Sequence, residues 1–345
     1  MAVTDPGELT PPEVLRRMIT GFVVSQALYV TAKLGIADLL DDDESRPIES
    51  IADQAGARRD PLYRVLRLLA GMGVLAESPP GSFTLTRLGR CLREDAPDSI
   101  RHAAIMFPEL PYRAAGDMLH TVMTGDTAFD HLFGVGHETY LEAQAEEAAI
   151  FHAAMRQLTG VVNEQIVAAM DLSDVNLLVD VGGGHAGLLV AVLKAHPRLR
   201  AVLLEQASAL DGARQNLAAA RLTSRAEVVE GDFFDAVPSG GNLYILKSVV
   251  HAWPDDEAVS ILGNCAVALG RGGRVCVVER VIPEEGEPLY PKLNDLIMLT
   301  VAGGRERSIS EYRQLFDRAG LELTGTQETA SGFSLLHGRV RWGGT

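Results

Sequence analysis

The chain has 345 residues, of which 31 are lysine or arginine and 46 are aspartate or glutamate, so its formal net charge is −15. This acidic balance disfavours non-specific binding of nucleic acid, which needs basic side chains to neutralise phosphates, and a hydrophobic content of 47% excludes a wholly disordered chain. The apolar stretches are too short to span a bilayer and no secretory signal is recognisable, so we expect a cytoplasmic protein that has neither a nucleic acid nor a membrane as a partner.

The first half of the chain predicts helices. A capping box with prolines at the first helical positions, Thr10–Glu13, predicts the start of a long apolar helix that ends near Lys33. Residues 46–90 then show helix, turn, helix and hairpin patterns, which is the order of elements in a winged helix. This segment has seven arginines against four acidic residues. A DNA-binding regulator whose second domain senses a small ligand is therefore one open interpretation.

From about residue 175, short apolar runs typical of buried strands alternate with helical patterns. The runs are Leu177–Val181, Ala201–Leu204, Ala226–Val229, Leu243–Leu246 and Val275–Val278. Such alternation predicts an α/β fold with a parallel, doubly wound sheet. The last two runs, Leu321–Gln327 and Phe333–Val340, have no helix between them and predict an antiparallel hairpin that closes the sheet.

A glycine loop follows the first strand of this sheet. Leu177–Val181 runs directly into Gly182, Gly183 and Gly184, and a helix follows. Glycines allow the backbone to turn tightly and let a ligand approach where a Cβ atom would collide. The loop therefore predicts a ligand crevice at the carboxyl end of a central strand. Together with Gly187, these glycines also satisfy the dinucleotide pattern GxGxxG, so a nicotinamide oxidoreductase is a second open interpretation.

Side chains that could bind an adenosine follow the next two strands. Glu205 ends the second strand, where its carboxylate could accept hydrogen bonds from two ribose hydroxyls. Asp232 and Phe233 follow the third strand and offer a carboxylate and an aromatic face to an adenine ring. Because the carboxyl ends of parallel strands share one edge of a sheet, these residues favour an adenosine site over an unliganded turn.

A candidate general base follows the fourth strand at the same edge. Lys247 and His251 lie there, Glu279 ends the fifth strand, and Glu306 lies in a glycine-rich segment after a later helix. An imidazole with a pKa near 6.5 can accept a proton near neutrality, and a carboxylate on its other nitrogen fixes its tautomer. The three side chains therefore predict proton transfer beside the nucleoside crevice.

These motifs together resemble the S-adenosylmethionine-dependent O-methyltransferases of the caffeate and isoflavone type, and most of all their bacterial relatives that tailor secondary metabolites. The resemblance covers nearly the whole chain. The motifs that carry it are Asp180–Gly184, Gly231–Phe234, Lys247 with His251, Trp253 and Asp255, and Gly303-Gly304-x-Glu306-Arg307. The resemblance implies a Rossmann-like methyltransferase domain over residues 173–345, a helical dimerisation domain with the winged-helix-like region over 1–105, and a helical linker and acceptor-pocket segment over 106–172.

The resemblance also assigns roles to individual residues. S-adenosyl-L-methionine is the implied cofactor and S-adenosyl-L-homocysteine the product, and the implied cofactor-binding residues are Gly182, Gly184, Glu205, Asp232, Phe233 and Lys247. His251 would deprotonate the acceptor beside Glu279 and Glu306. The residues implied to line the acceptor pocket are Phe151, Met155 and Met298. The expected acceptor is a hydroxyl, phenolic in the simplest case, of a small aromatic or polyketide-type metabolite; transfer to an amine or a carboxyl group stays open. A homodimer is implied.

Three positions depart from the family's pattern. Ala252 stands where the family usually has aspartate, Ala186 stands where glycine is commoner, and Glu205 replaces the frequent aspartate. No metal is expected, because the three cysteines form no CxxC pair. The adjacent Asn294 and Asp295 could support metal-assisted transfer of the catechol type, but the histidine would then have no role.

Overall fold

The computed structural model describes residues 9–270, 272–284 and 289–341. The chain divides into two compact units, the first formed by Met1–Tyr112 with Glu146–Leu158 and the second by Arg113–Ala145 with Thr159–Thr345. The three segments expected from the sequence, with boundaries near residues 105 and 172, stay a prediction. No helix in the described ranges is long and apolar enough to cross a membrane.

The first unit combines helices with a small sheet. Its helices are α1 (Pro11–Ile19), α2 (Gly21–Lys33), α3 (Ile48–Gln54), α4 (Arg59–Gly71), α5 (Arg87–Arg90), α6 (Arg101–Met106) and α7 (Leu110–Gly116), the last of which ends beyond the unit. Its strands are β1 (Arg46–Pro47), β2 (Leu75–Glu77) and β3 (Ser82–Leu85). They pair antiparallel in the order β1-β3-β2. Helices α3 and α4 and the β2–β3 hairpin therefore follow one another in the predicted order.

The long helix expected from the capping box is divided in the structure. The predicted start is present, because the Thr10 amide donates to Glu13 Oε2 at 2.8 Å. Helix α1 ends at Ile19, and the Thr20 hydroxyl donates to the Arg16 carbonyl at 2.9 Å before α2 begins at Gly21. A side chain that bonds to the preceding turn, followed by glycine, weakens the helix at this point.

The second unit contains the large sheet. The helices before the sheet are α8 (Met118–Thr124), α9 (Ala128–Phe133), α10 (His137–Ala143) and α11 (Ala145–Ala169), whose residues belong to both units. The later helices are α12 (Gly187–Ala195), α13 (Ala207–Ala219), α14 (Asp255–Ala268), α15 (Leu289–Val301) and α16 (Ile309–Arg318). The strands are β4 (Leu177–Val181), β5 (Arg200–Glu205), β6 (Ala226–Glu230), β7 (Leu243–Lys247), β8 (Arg274–Glu279), β9 (Leu321–Glu328) and β10 (Ser334–Val340).

The large sheet has the strand order β6-β5-β4-β7-β8-β10-β9. Strands β4 to β8 are parallel, and β10 is antiparallel to both of its neighbours, which confirms the predicted parallel sheet with a terminal hairpin. Both faces are buried: Leu178 and Ile245 pack in one apolar cluster, and Val179 and Tyr244 pack in another. The strand order reverses around β4, and ligands bind at such a switch point beyond the carboxyl ends of the strands.

Candidate active site

The glycine loop lies at the carboxyl end of β4, and side chains from the sheet and its loops pack closely against it. Gly182 has a φ of +69°, and a Cβ atom there would lie 3.0 Å from Val249 and 3.4 Å from the Phe233 ring. A Cβ atom at Gly183 would lie 2.3 Å from Asp180 Oδ2. Only glycine fits both positions, so the loop crosses the sheet edge at close range and brings Phe233 beside Gly182.

Ala186 explains one departure from the family's pattern. It is buried and has a φ of +63° and a ψ of +25°, which is the left-handed conformation that glycine adopts most easily. An alanine in this conformation costs roughly 1–2 kcal/mol, which is why glycine is the commoner residue at such a position. The chain keeps the loop geometry in spite of the substitution.

The carboxylate of Glu205 is held against the glycine loop. The Gly184 amide donates to Glu205 Oε2 at 2.7 Å, and the Gln206 amide donates to Oε1 at 2.9 Å. Partial burial raises the pKa of Glu205, and the two amide hydrogen bonds oppose that shift. Asp232 follows β6 at the same edge, where its Oδ1 accepts the Phe234 amide at 2.8 Å. The predicted crevice residues therefore share this edge of the sheet.

The charges around the crevice fit a cationic nucleoside. Asp180 is fully buried, neither of its carboxylate oxygens has a hydrogen-bond partner among the described residues, and burial raises its pKa to about 7 against the opposing charge of Lys247. Burial lowers the pKa of the Lys247 ammonium and outweighs the opposing effect of Asp180 and Glu279, which raise it.

A further carboxylate, Glu138 on α10, was missed by sequence reasoning. Desolvation and repulsion from Glu142, Glu205 and Asp232 raise its pKa. Ribose hydroxyls can donate to such carboxylates, whereas the pyrophosphate of a dinucleotide would be repelled.

The histidine and both predicted carboxylates meet at the edge beside β7 and β8. His251 Nδ1 lies 2.8 Å from Glu306 Oε1 and 3.6 Å from Glu279 Oε2. The backbone is held as well, because Glu279 Oε1 accepts the amides of Val249 at 3.1 Å and of His251 at 3.2 Å. Both glutamates are buried, whereas the His251 side chain retains 16% exposure. With Nδ1 facing the carboxylates, Nε2 is the nitrogen left for a substrate proton.

The surrounding charges set the proton affinity of this cluster. Burial opposes protonation of His251, but Glu279 and Glu306 outweigh it and raise the pKa of the imidazole to about 9. Burial likewise raises the pKa of Glu279 to about 7, against the opposing charge of His251. The imidazolium is therefore stabilised by buried negative charge, and this is the state that His251 reaches after it accepts a proton.

Helix α15 supports the second carboxylate. The Asn294 side-chain amide donates to Glu306 Oε1, and Asp295 Oδ1 accepts the Glu306 amide at 2.8 Å. The pair considered as metal ligands in the sequence therefore positions Glu306 instead. Gly304 permits the approach, because a Cβ atom there would lie 2.1 Å from the His251 carbonyl oxygen.

A buried arginine beside Glu306 fixes the loop that carries His251. The Arg307 guanidinium is fully buried and donates to Asp255 at 2.8 and 3.0 Å, to the Val250 carbonyl at 3.1 Å and to the Trp253 carbonyl at 2.8 Å. In the sequence this arginine stands at the end of the motif Gly303-Gly304-x-Glu306-Arg307 with no predicted role. No signal in the sequence could have found this role, because Asp255, which opens α14, lies 52 residues away along the chain.

Two further observations concern metals and the acceptor residues. His251, Glu279 and Glu306 could offer a metal three ligand atoms that lie within 4.8 Å of one another.

The predicted acceptor residues lie in both units. Met298 lies on α15 one turn after Asn294. Phe151 and Met155 belong to the other unit, where they pack onto an apolar cluster with Met106. Their contact with an acceptor stays a prediction.

The strand order, the acidic nucleoside crevice and the histidine with its carboxylates together define an S-adenosylmethionine-dependent methyltransferase. The sequence model of the O-methyltransferase domain matches residues 115–322, and that of the O-methyltransferase dimerisation domain matches residues 16–95. The chain belongs to this O-methyltransferase family. The segment that left open a DNA-binding regulator lies within the match to the dimerisation domain.

Individual relatives are similar over nearly their whole length. The phenazine O-methyltransferase PhzM of Lysobacter antibioticus is 41% identical over 333 residues, which cover 96% of this chain and 97% of that protein. The crystal structure of LaPhzM has a TM-score of 0.91 and 41% identity, and covers 96% of this chain and 100% of that one. An O-methyltransferase from neocarzinostatin biosynthesis, solved with S-adenosylhomocysteine and 1,4-dihydroxy-2-naphthoic acid, has a TM-score of 0.82 and 32% identity over 94% of this chain and 98% of its own.

Proposed function

We propose that the protein methylates a hydroxyl group of a small aromatic metabolite, with His251 as the general base. The observation that carries this proposal is the 2.8 Å contact between His251 Nδ1 and Glu306 within a buried acidic cluster. S-adenosylmethionine supplies an electrophilic methyl group on a positively charged sulfur and leaves as the neutral thioether S-adenosylhomocysteine. Gly182, Gly184, Glu205, Asp232, Phe233 and Lys247 are the residues we assign to holding it.

Proton removal is the part of the reaction that this chain's own residues perform. The acceptor loses its hydroxyl proton to His251 Nε2 while its oxygen gains the methyl group. The acceptor oxygen therefore becomes neither a free phenolate nor a positively charged oxonium. A phenol with a pKa near 10 is mostly protonated at neutral pH. A base with a pKa of about 9 is much closer to that value than an ordinary imidazole, so the proton transfer is nearly balanced.

The same cluster favours a hydroxyl over an amine or a carboxyl acceptor. A neutral amine already presents a lone pair, and a carboxylate is already ionised at neutral pH, so neither needs a base before attack. Burying a histidine with two glutamates costs desolvation free energy. Such a cluster is therefore expected where the reaction uses the proton affinity of the histidine. This argument supports O-methylation as the reaction and phenols as the preferred acceptors.

We also propose that the enzyme acts as a homodimer in the cytoplasm. The match to the dimerisation domain and the exposed apolar side chains of Met18, Ile19 and Phe22 support self-association, since such a stripe is unfavourable in water. The three cysteines are unpaired, which agrees with a reducing compartment.

A direct test combines ligand binding with turnover. S-adenosylhomocysteine should raise the melting temperature of the purified protein, whereas NAD should not. Incubation with S-adenosylmethionine carrying a labelled methyl group and a panel of naphthols, hydroxybenzoates and hydroxyphenazines should then produce mass shifts of one methyl group per product. Stabilisation by NAD alone, or methylation of anilines in preference to every phenol, would contradict the proposal.

A further inference from the structure

Asp180 is a buried acid that lies directly beneath the glycine loop. A Cβ atom at Gly183 would lie 2.3 Å from Asp180 Oδ2, so the loop passes over this carboxyl group in close contact. The residue is fully buried, and within residues 9–270, 272–284 and 289–341 its carboxyl oxygens have no hydrogen-bond partner and no lysine or arginine nitrogen within 4.0 Å. Neither the proton transfer at His251 nor the residues assigned to the donor use this group.

This environment favours the protonated form of Asp180. An ionised carboxylate in an apolar interior is costly unless hydrogen bonds or an ion pair replace its hydration, and such a group takes up a proton instead. Its neighbours in the sheet are Leu203 on β5 and Ile245 on β7. The charged groups that act on it are Glu205 at the end of β5, which favours the proton, and Lys247 at the end of β7, which opposes it. Burial outweighs Lys247 and raises the pKa to about 7, so about half of the ligand-free molecules hold this proton at neutral pH.

The donor and the product of methyl transfer differ by one positive charge above this acid. S-adenosylmethionine has a sulfonium sulfur, and S-adenosylhomocysteine has a neutral thioether in its place. A positive charge bound at the glycine loop favours the ionised carboxylate beneath it, and a buried charge pair is poorly screened by solvent. Binding of the donor should therefore release the proton of Asp180, whereas the product has no sulfonium charge to displace it.

We propose that Asp180 gives its proton to solvent when the charged donor binds and takes one up again after methyl transfer, so that its carboxylate distinguishes the donor from the product. This inference rests on the proposed function, because it places the donor on the glycine loop. The ionised carboxylate attracts the sulfonium, and this attraction ends when the sulfur becomes a neutral thioether. The enzyme thereby binds its donor in preference to its product and limits inhibition by that product.

The test measures the binding of two unreactive ligands by calorimetry. They are S-adenosylhomocysteine and sinefungin, in which a carbon bearing an ammonium group replaces the methylated sulfur. For the wild-type protein, the ratio of the Kd of S-adenosylhomocysteine to that of sinefungin should rise by about three- to tenfold between pH 6 and pH 8.5, because Asp180 ionises over this range. At pH 7, titrations in buffers of different ionisation enthalpy should show that sinefungin releases about 0.3–0.5 more protons per site than S-adenosylhomocysteine.

Variants assign the proton to Asp180. Asp180→Asn keeps the size of the protonated side chain and cannot ionise, so both the rise of the Kd ratio and the additional proton release should be lost, while the Kd of S-adenosylhomocysteine at pH 6 changes by less than about threefold. His251→Gln and Glu279→Gln each remove another group that could lose a proton to a cation, and both variants should keep the two effects. Asp256→Asn, which changes an exposed carboxylate on α14, is the matched control.

The outcomes separate this inference from the proposed function. If both ligands bind but their Kd ratio in the wild-type protein does not change with pH, or rises equally in Asp180→Asn, the inference is overturned and the donor site stands. Should Asp180→Asn fail to fold, the other variants decide: loss of the rise in His251→Gln or Glu279→Gln would assign the proton to that residue instead. Binding of neither ligand to the wild-type protein would contradict the donor site and the inference together.

Discussion

Nδ1 of His251 lies 2.8 Å from Oε1 of Glu306, and this contact leaves Nε2 as the basic nitrogen. A base of this kind contributes about 10²- to 10⁴-fold to a rate. His251→Ala should therefore lower kcat by that factor, while the Kd for S-adenosylhomocysteine changes by less than about threefold because the glycine loop, Glu205 and Asp232 follow strands other than β7. His196→Ala, at the opposite end of α12 from the glycine loop, is the control. Full activity of His251→Ala would show that His251 is not the general base.

The pKa of His251 predicts how the rate depends on pH. Because the base must be neutral and its pKa is raised to about 9, kcat/KM should rise by more than about tenfold between pH 7 and pH 9. Glu306→Gln removes one of the carboxylates that raise this pKa. In this variant the increase of kcat/KM with pH should therefore occur at lower pH than in wild type. The profiles are measured at saturating donor, with exposed Glu257→Gln as the control. Superimposable profiles for Glu306→Gln and wild type would contradict this assignment.

Much of the site could be predicted because it follows the ends of parallel strands. Glu205 and Glu279 end buried apolar runs, Asp232 follows the half-exposed edge strand β6, and the sheet brings these three positions to one edge. The partners of Asn294 could not be predicted, since a carboxamide beside a carboxylate resembles a metal-ligand pair until the packing of α15 turns it toward Glu306. The contacts of Arg307 could not be predicted for a similar reason. Apart from Asp255, its acceptors are the backbone carbonyls of Val250, Trp253 and Arg305, and the direction of a carbonyl depends on the tertiary fold.

Gly304 is required by the close passage of its segment over His251. A Cβ atom at this position would lie 2.1 Å from the His251 carbonyl oxygen, so Gly304→Ala must displace the segment that carries Glu306. We expect kcat to fall by at least about tenfold, because small displacements of a positioned base are costly. Gly263→Ala is the matched control: this glycine lies within α14 with no atom within 4 Å of a new Cβ, so the change should stabilise the protein by about 0.5–1 kcal/mol. Equal activities of the two variants would argue against the steric role.

Metal removal tests whether the three possible ligand atoms act as a metal site. The contact of Nδ1 with Glu306 and the Asn294 amide on the same oxygen already engage Nδ1 and Oε1 in hydrogen bonds that a metal would have to displace. Methyl transfer should therefore retain full activity after dialysis against EDTA, measured with the acceptor that gives the highest rate. A loss that is restored by Mg²⁺ or Zn²⁺, but not by Na⁺, would assign the cluster to a metal instead.

The stability of the ligand-free protein should decrease as the pH rises from about 6.5 to 9. The folded state raises the pKa of His251 from 6.5 to about 9, so the folded protein binds a proton in this range that the unfolded chain does not. The resulting stabilisation is complete below pH 6.5 and is lost as the pH passes through 9. The raised pKa of Glu279, about 7 against 4.5, has the same sign but acts at lower pH. Urea unfolding of wild type and His251→Gln at pH 6.5, 8 and 9 measures the difference. The free energies of unfolding should converge at the highest pH, and parallel curves would show that the imidazolium does not stabilise the fold.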